Sequence, residues 1–249
     1  MNDFARAAEA ILNAGTIVAT TGAGISTESG IPDFRSPGGI WEKYPVEEYA
    51  TLQAFLADPA KIWKFWRTLT ADLGAYQPNP AHYALAELEE YGKLTAVITQ
   101  NVDNLHQTAG SQRVVEYHGN NRRLRCLTCG RRGELALAEG DGVPFCYCGG
   151  IYKPDVVLFG ELIPKQALFQ AQAFAQTAEV VIIVGTSAQV YPAAELPYTA
   201  KENGAFIIEC NVEETDFTRT ITDVFLQGKA GTTLPQLAEA VLGPSGEPS

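Results

Sequence analysis

Thr16-Ile17-Val18-Ala19, with Gly22-Ala23-Gly24 close behind it, decides the fold of this chain. The run is β-rich and apolar at successive positions, so a strand there must be covered on both faces, as in parallel sheets packed between helices. The pattern returns at Ala96-Val97-Ile98, Val156-Val157-Leu158-Phe159, Val180 to Val184 and Phe206-Ile207-Ile208. Between these runs apolar residues repeat at helical spacing over residues 4–14, 80–91, 165–176 and 232–242, and Pro80 and Pro192 suit first-turn positions. The expected class is α/β, a parallel sheet flanked by helices.

Two stretches break the alternation. Residues 37–79 hold no convincing strand but carry Trp41, Tyr44, Phe55, Trp63, Phe65 and Trp66, and residues 122–155 hold four of the five cysteines. Both read as insertions forming a smaller lobe, a helical module and a zinc-binding module, on a main domain of residues 1–36, 80–121 and 156–249. The tail after Gly243 reads as frayed. Hydrophobic residues make up 46% and charged residues 19% of the 249 positions, without an apolar run of the roughly 18 residues that a membrane span needs. No membrane partner is therefore expected, the opening residues lack a secretory pattern, and the expected compartment is the cytoplasm. A net charge of −11 opposes a polyanion, so nucleic acid is not an expected partner either.

The turn after each strand is polar or glycine-rich: Gly22-Ala23-Gly24, Thr99-Gln100-Asn101-Val102-Asp103, His118-Gly119, Gly185-Thr186-Ser187, Cys210-Asn211 and Gln227-Gly228-Lys229-Ala230-Gly231. Ligands of open parallel sheets bind outside the carboxyl ends of strands, so these turns share one binding edge. Gly22-Ala23-Gly24 lets backbone amides approach a phosphate, although alone it also fits a plain tight turn. Thr27 stands where the dinucleotide fingerprint has its third glycine, and no clear second strand ends in an acid some 20 residues on, which counts against a hydride-transfer dehydrogenase.

Cys126, Cys129, Cys146 and Cys148 form two chelating pairs. Four thiolates fill a zinc coordination sphere, so such a metal is structural. Cys210, in a strand, reads as core. The arginines at 122, 123, 125, 131 and 132 read as solvated surface near the first pair. Of the three histidines, His82 and His106 read as packing or capping residues, whereas His118 sits at a strand's carboxyl end on the binding edge. Its position fits either a proton acceptor or a structural histidine.

Taken together, Gly22-Ala23-Gly24-Ile25-Ser26, Gly30-Ile31-Pro32-Asp33-Phe34-Arg35, Thr99-Gln100-Asn101-Val102-Asp103, His118-Gly119, the cysteine pairs, Phe159-Gly160-Glu161 and Gly185-Thr186-Ser187 closely resemble the sirtuins, NAD-dependent protein deacylases. The resemblance implies a Rossmann-like domain and a reaction that consumes NAD as co-substrate: nicotinamide leaves, and the acyl group of an acylated protein lysine passes to ADP-ribose. It also implies that Gly22, Ala23, Gly24, Gln100, Gly185, Thr186, Ser187, Asn211, Lys229 and Ala230 line the dinucleotide site, with Phe34 and Arg35 on a closing loop. Asn101 would orient the nicotinamide ribose, Asp103 would hold the nicotinamide amide, and His118 would be the general base. The acyl-lysine would run against Val157, Phe159 and Gly160. Sirtuins that prefer succinyl or malonyl groups carry a tyrosine and, three residues later, an arginine on a small-lobe helix. Counted without gaps from Gln77-Pro78-Asn79, those places fall on Trp66 and Leu69, which implies a deacetylase. The expected state is a monomer. A dehydrogenase and a non-catalytic zinc-module binding protein stand as alternatives.

Overall fold

The computed structural model describes residues 2–32, 39–73 and 76–243. Its strands are β1 (Ile17–Thr21), β2 (Ala96–Thr99), β3 (Val114–Glu116), β4 (Gly119–Cys126), β5 (Arg132–Glu134), β6 (Tyr152–Val156), β7 (Val180–Val184), β8 (Phe206–Asn211) and β9 (Val224–Gln227). The helices are α1 (Asp3–Asn13), α2 (Ile40–Lys43), α3 (Val46–Tyr49), α4 (Leu52–Ala57), α5 (Pro59–Leu73), α6 (Pro80–Glu90), α7 (Leu105–Ala109), α8 (Lys165–Thr177), α9 (Glu195–Glu202), α10 (Asp216–Thr220) and α11 (Ala230–Leu242).

A six-stranded sheet runs in the order β3-β2-β1-β7-β8-β9, each neighbouring pair parallel. Successive side chains of a strand point to opposite faces, so the continuous apolar runs feed two cores. Ile17, Ala19, Ile182, Val184 and Ile208 pack with α1, α6 and α11. Val18, Val181, Ile183 and Ile207 pack on the other face with α8 and α9. The helices start where the chain offers caps: Asn2 Oδ1 accepts from the Ala5 amide at 2.8 Å. At α6, Asn79 Oδ1 accepts from the Ala81 amide at 2.9 Å while the Asn79 amide donates to His82 Nδ1 at 3.3 Å, a reciprocal capping box.

The second lobe has one core rather than two. Phe55, Ile62, Trp63, Phe65 and Trp66 of the helices pack with Leu124, Cys126, Cys146 and Tyr152 of the cysteine segment. The indole N–H of Trp63 donates to the Tyr152 carbonyl at 2.9 Å and ties the two modules together.

Three expectations need correction. Val156-Val157-Leu158-Phe159 is not a strand of the parallel sheet: β6 ends at Val156 and pairs antiparallel with β4 in a separate sheet of order β5-β4-β6. Instead, the Val157 amide donates to the His118 carbonyl and the Phe159 amide to the Ala50 carbonyl, so the apolar residues bridge the two lobes. Pro192 lies in a turn ahead of α9 and not in a helical first turn. The arginine group is surface only in part: Arg122, Arg131 and Arg132 are exposed, as read, but Arg123 Nε lies 2.8 Å, Arg132 Nε 3.4 Å and Arg125 3.6 Å from the buried Asp155 carboxylate.

Candidate active site

A cavity of about 1340 Å³ opens at the carboxyl ends of the parallel strands and reaches the second lobe. Gly22, Ala23, Gly24, Gln100, Asn101, His118, Gly185, Thr186, Ser187, Asn211, Lys229 and Ala230 line the sheet side. Trp66, Val157, Phe159 and Gly160 line it too, so residues scattered through the sequence share one space.

The sheet edge is built by close backbone approach. The Gly22 amide donates to the Val184 carbonyl at 3.0 Å and the Gly24 amide to the Gly185 carbonyl at 2.9 Å. A Cβ on Gly24 would stand 2.7 Å from Gly185 Cα, so only glycine fits where the β1 and β7 turns meet. Asn211 Nδ2 donates to the Thr186 carbonyl at 3.0 Å and Gln100 Nε2 to Thr186 Oγ1 at 3.2 Å, locking neighbouring turns together.

Behind this edge runs a buried polar chain. Asn101 Nδ2 donates to the Gly22 carbonyl at 3.0 Å and to Ser26 Oγ at 3.1 Å, and Ser26 Oγ donates to Asp103 Oδ2 at 2.8 Å. Asp103 also accepts from the Leu105 amide at 2.9 Å. Burial raises its pKa, and the hydrogen bonds from Leu105 and Ser26 oppose the rise. Asp103 is not itself among the cavity-lining residues. Ser26, which joins it to Asn101, is the polar residue that sequence reasoning gave no role.

His118 sits on the cavity wall, and its Nδ1 lies 3.1 Å from the Gln100 carbonyl oxygen. A carbonyl only accepts, so Nδ1 carries the proton and Nε2 of the neutral ring keeps its lone pair. Burial lowers the His118 pKa, with the bond to Gln100 opposing, so the ring is neutral at neutral pH. His82 and His106 are packing residues, as expected: their rings meet edge to face at 5.0 Å, and His106 Nε2 lies 2.9 Å from Thr21 Oγ1.

The four cysteines converge, every Sγ within 4.8 Å of the others, with 3.5 Å between Cys126 and Cys148 and 3.7 Å between Cys129 and Cys146. Four sulfurs around zinc at about 2.3 Å stand about 3.8 Å apart, so the cluster fits a closed structural zinc site. Tight turns present the thiols, with the Gly130 amide donating to the Cys126 carbonyl and the Gly149 amide to that of Cys146.

The acyl-pocket candidates separate. Trp66 is buried and lines the cavity, whereas Leu69 packs against the second-lobe core and is not among the lining residues. Phe34 and Arg35 lie outside the described residues.

The Sir2 family model matches residues 22–192. A NAD-dependent protein deacylase of Thermococcus kodakarensis is 49% identical over 243 residues, 94% of each chain. The chain belongs to the Sir2 family. Among solved structures, a mutant Sir2 homologue in complex with ADP-ribose matches this Sir2 chain with a TM-score of 0.91 at 43% identity, covering 96% of each. A Sir2 complex with a p53 peptide and NAD+ matches with a TM-score of 0.83 at 35% identity, covering 93% of this chain and 95% of that one.

Proposed function

We propose that this Sir2 chain is a NAD-dependent protein-lysine deacetylase, which passes the acetyl group of acetyl-lysine to ADP-ribose and releases nicotinamide. One observation carries the reading: His118, kept neutral by burial, lines the same cavity as the glycine turns, Asn101 and the second-lobe residues.

Each residue has a task that its surroundings support. The glycine turns at 22–24 and 185–187 offer closely packed backbone to the dinucleotide, with Gln100, Asn211, Lys229 and Ala230 beside them. Asn101, held by the Gly22 carbonyl and Ser26, orients the nicotinamide ribose. Asp103, steadied by Ser26 and the Leu105 amide, holds the nicotinamide amide. His118 takes a ribose hydroxyl proton at Nε2. Departure of a cationic leaving group needs alignment and a dry site more than a strong nucleophile.

The peptide lies along residues 157–160. Among the described residues neither the Val157 carbonyl nor the Gly160 amide has a backbone partner, so an extended peptide can pair there. Trp66 closes the acyl end, and Leu69 packs behind it. A structural zinc on Cys126, Cys129, Cys146 and Cys148 holds the second lobe, formed by modules 37–79 and 122–155 on a main domain of residues 1–36, 80–121 and 156–249. The working form is a monomer. Thiolates used for metal rather than for disulfides suit a reducing compartment, the cytoplasm, and the net charge of −11 opposes nucleic acid or an anionic membrane as partner.

The test is incubation with NAD and an acetyl-lysine peptide, followed by mass analysis. Free nicotinamide, deacetylated peptide and acetyl-ADP-ribose are expected together. Reduced cofactor without free nicotinamide would mean a dehydrogenase, and no turnover would mean a binding protein.

A further inference from the structure

An ion pair that the proposed chemistry does not use joins β6 to the turn ahead of α8. Lys153 is buried, and its ammonium donates to the Pro154 carbonyl at 3.2 Å, to the Val156 carbonyl, and to Glu161 Oε2 at 3.0 Å. All three of its protons are thereby engaged. The same Glu161 oxygen accepts from the Leu158 amide at 2.8 Å, and the Glu161 amide returns a bond to the Leu158 carbonyl at 2.9 Å. One carboxylate therefore joins the end of β6, the middle of residues 157–160 and the turn after Gly160, and Glu161 also lines the cavity.

Stability does not explain such an arrangement. Burial drags the Lys153 pKa down against the pull of Glu161, the mark of an ammonium held in a dry place at a cost. Buried ion pairs replaced by apolar groups of similar size commonly leave stability unchanged or raised. The pair does supply a fixed conformation for the loop that leaves the Val157 carbonyl and the Gly160 amide open.

We infer that Lys153 and Glu161 are positioning residues, which hold the 156–161 loop in the shape that binds the acyl-lysine peptide. The inference rests on the reading that residues 157–160 receive that peptide.

The test compares wild type with Lys153→Met/Glu161→Ala and with Lys153→Met/Glu161→Gln; neither leaves an orphaned buried charge, and the second keeps an acceptor for the Leu158 amide. Lys153→Met/Glu161→Ala should raise KM for an acetyl-lysine peptide by about tenfold, with KM for NAD and kcat at saturation within about threefold of wild type. Lys153→Met/Glu161→Gln should fall between and carries the test should the Ala variant fail to fold. A cooperatively melting variant that binds ADP-ribose normally and keeps the wild-type peptide KM would overturn the inference. So would a parallel loss in kcat and both KM values, which marks general disruption. A wild type that releases no nicotinamide with the peptide overturns the parent reading and this one with it, whereas an active wild type with indifferent variants overturns this one alone.

Discussion

At the residue scale His118 and His82 differ through their surroundings. His118 on the cavity wall has one nitrogen committed to Gln100 and a pKa lowered by burial. Loss of this base in His118→Ala should cut deacetylation by about a hundredfold or more while the protein stays folded. Turnover near wild type at saturating NAD would refute the role. Because the pKa is lowered, the ring protonates only below its ordinary value, so kcat/KM should hold as pH falls to about 6.5 and drop beneath it. His82 is sealed in the capping box of α6, and burial drives its pKa to about 4. The unfolded chain binds that proton near pH 6.5 and the folded one does not, so stability is present above about 6.5 and lost as pH falls toward 4. The loss from this one group is about 2 kcal/mol at pH 5. His82→Gln, which can keep the capping box, should show that much less destabilisation in urea melts between pH 7 and 5, and an unchanged pH slope would contradict the buried neutral state. The place of His118 on the cavity wall was legible in the sequence because a strand end and a glycine flank it. Ser26 was not, since its partners Asn101 and Asp103 lie 75 and 77 positions away and only the fold brings them to it.

At the element scale the legible strands were those with one physical signature. β1, β2, β7 and β8 are apolar on both faces because helices cover both, and periodicity alone places them. β4 is hard to read from sequence, since Asn120, Asn121, Arg122, Arg123 and Arg125 leave only Leu124 and Cys126 to mark a buried face, and Arg123 and Arg125 find Asp155 only in tertiary structure. Val156 to Phe159 misled for the converse reason: an apolar run suggests a strand covered on both faces, but here only Val156 and Leu158 are buried, and the backbone bonds at Val157 and Phe159 run to His118 and Ala50. The cysteine pairs were legible through spacing, and they set the element-scale prediction. Cys126 and Cys146 are buried in the same core as Trp63 and Trp66, so metal affinity there is folding energy for the whole second lobe. Protein purified without chelators should hold about one zinc, and Cys126→Ser should lose it together with melting temperature and deacetylation. Less than about half an equivalent in the wild type, or a metal-free variant melting like wild type, would argue against that role.

At the scale of the whole molecule, one cavity is lined both by the sheet edge and by residues of the second core, and on the proposed reading its far wall sets which acyl groups enter. Trp66 on α5 is on that wall, and Leu69 packs against the second-lobe core. Neither carries a cation for a carboxylate, and the unpartnered indole N–H of Trp66 offers at most one neutral hydrogen bond. Arg67 is next in sequence, but one helical step turns it about 100 degrees from Trp66, and it is engaged elsewhere. Its guanidinium lies over the Trp63 ring at 5.3 Å, Nε donates to the Ala138 carbonyl at 3.1 Å, and another nitrogen donates to the Gly142 carbonyl, all within the second lobe. Freeing it would break the contact between α5 and the cysteine segment. A succinyl carboxylate at the closed end would therefore lose its water without gaining a cation, at a cost of several kcal/mol, whereas an acetyl methyl meets an apolar ring. On one peptide carrying either acetyl-lysine or succinyl-lysine, kcat/KM should favour acetyl by about a hundredfold or more, each 1.4 kcal/mol being worth about tenfold. Trp66→Arg, which puts a cation on the wall itself, should narrow that ratio. Succinyl removal by the wild type as fast as acetyl removal would refute this account of the pocket, because it would require a cation that α5 does not offer.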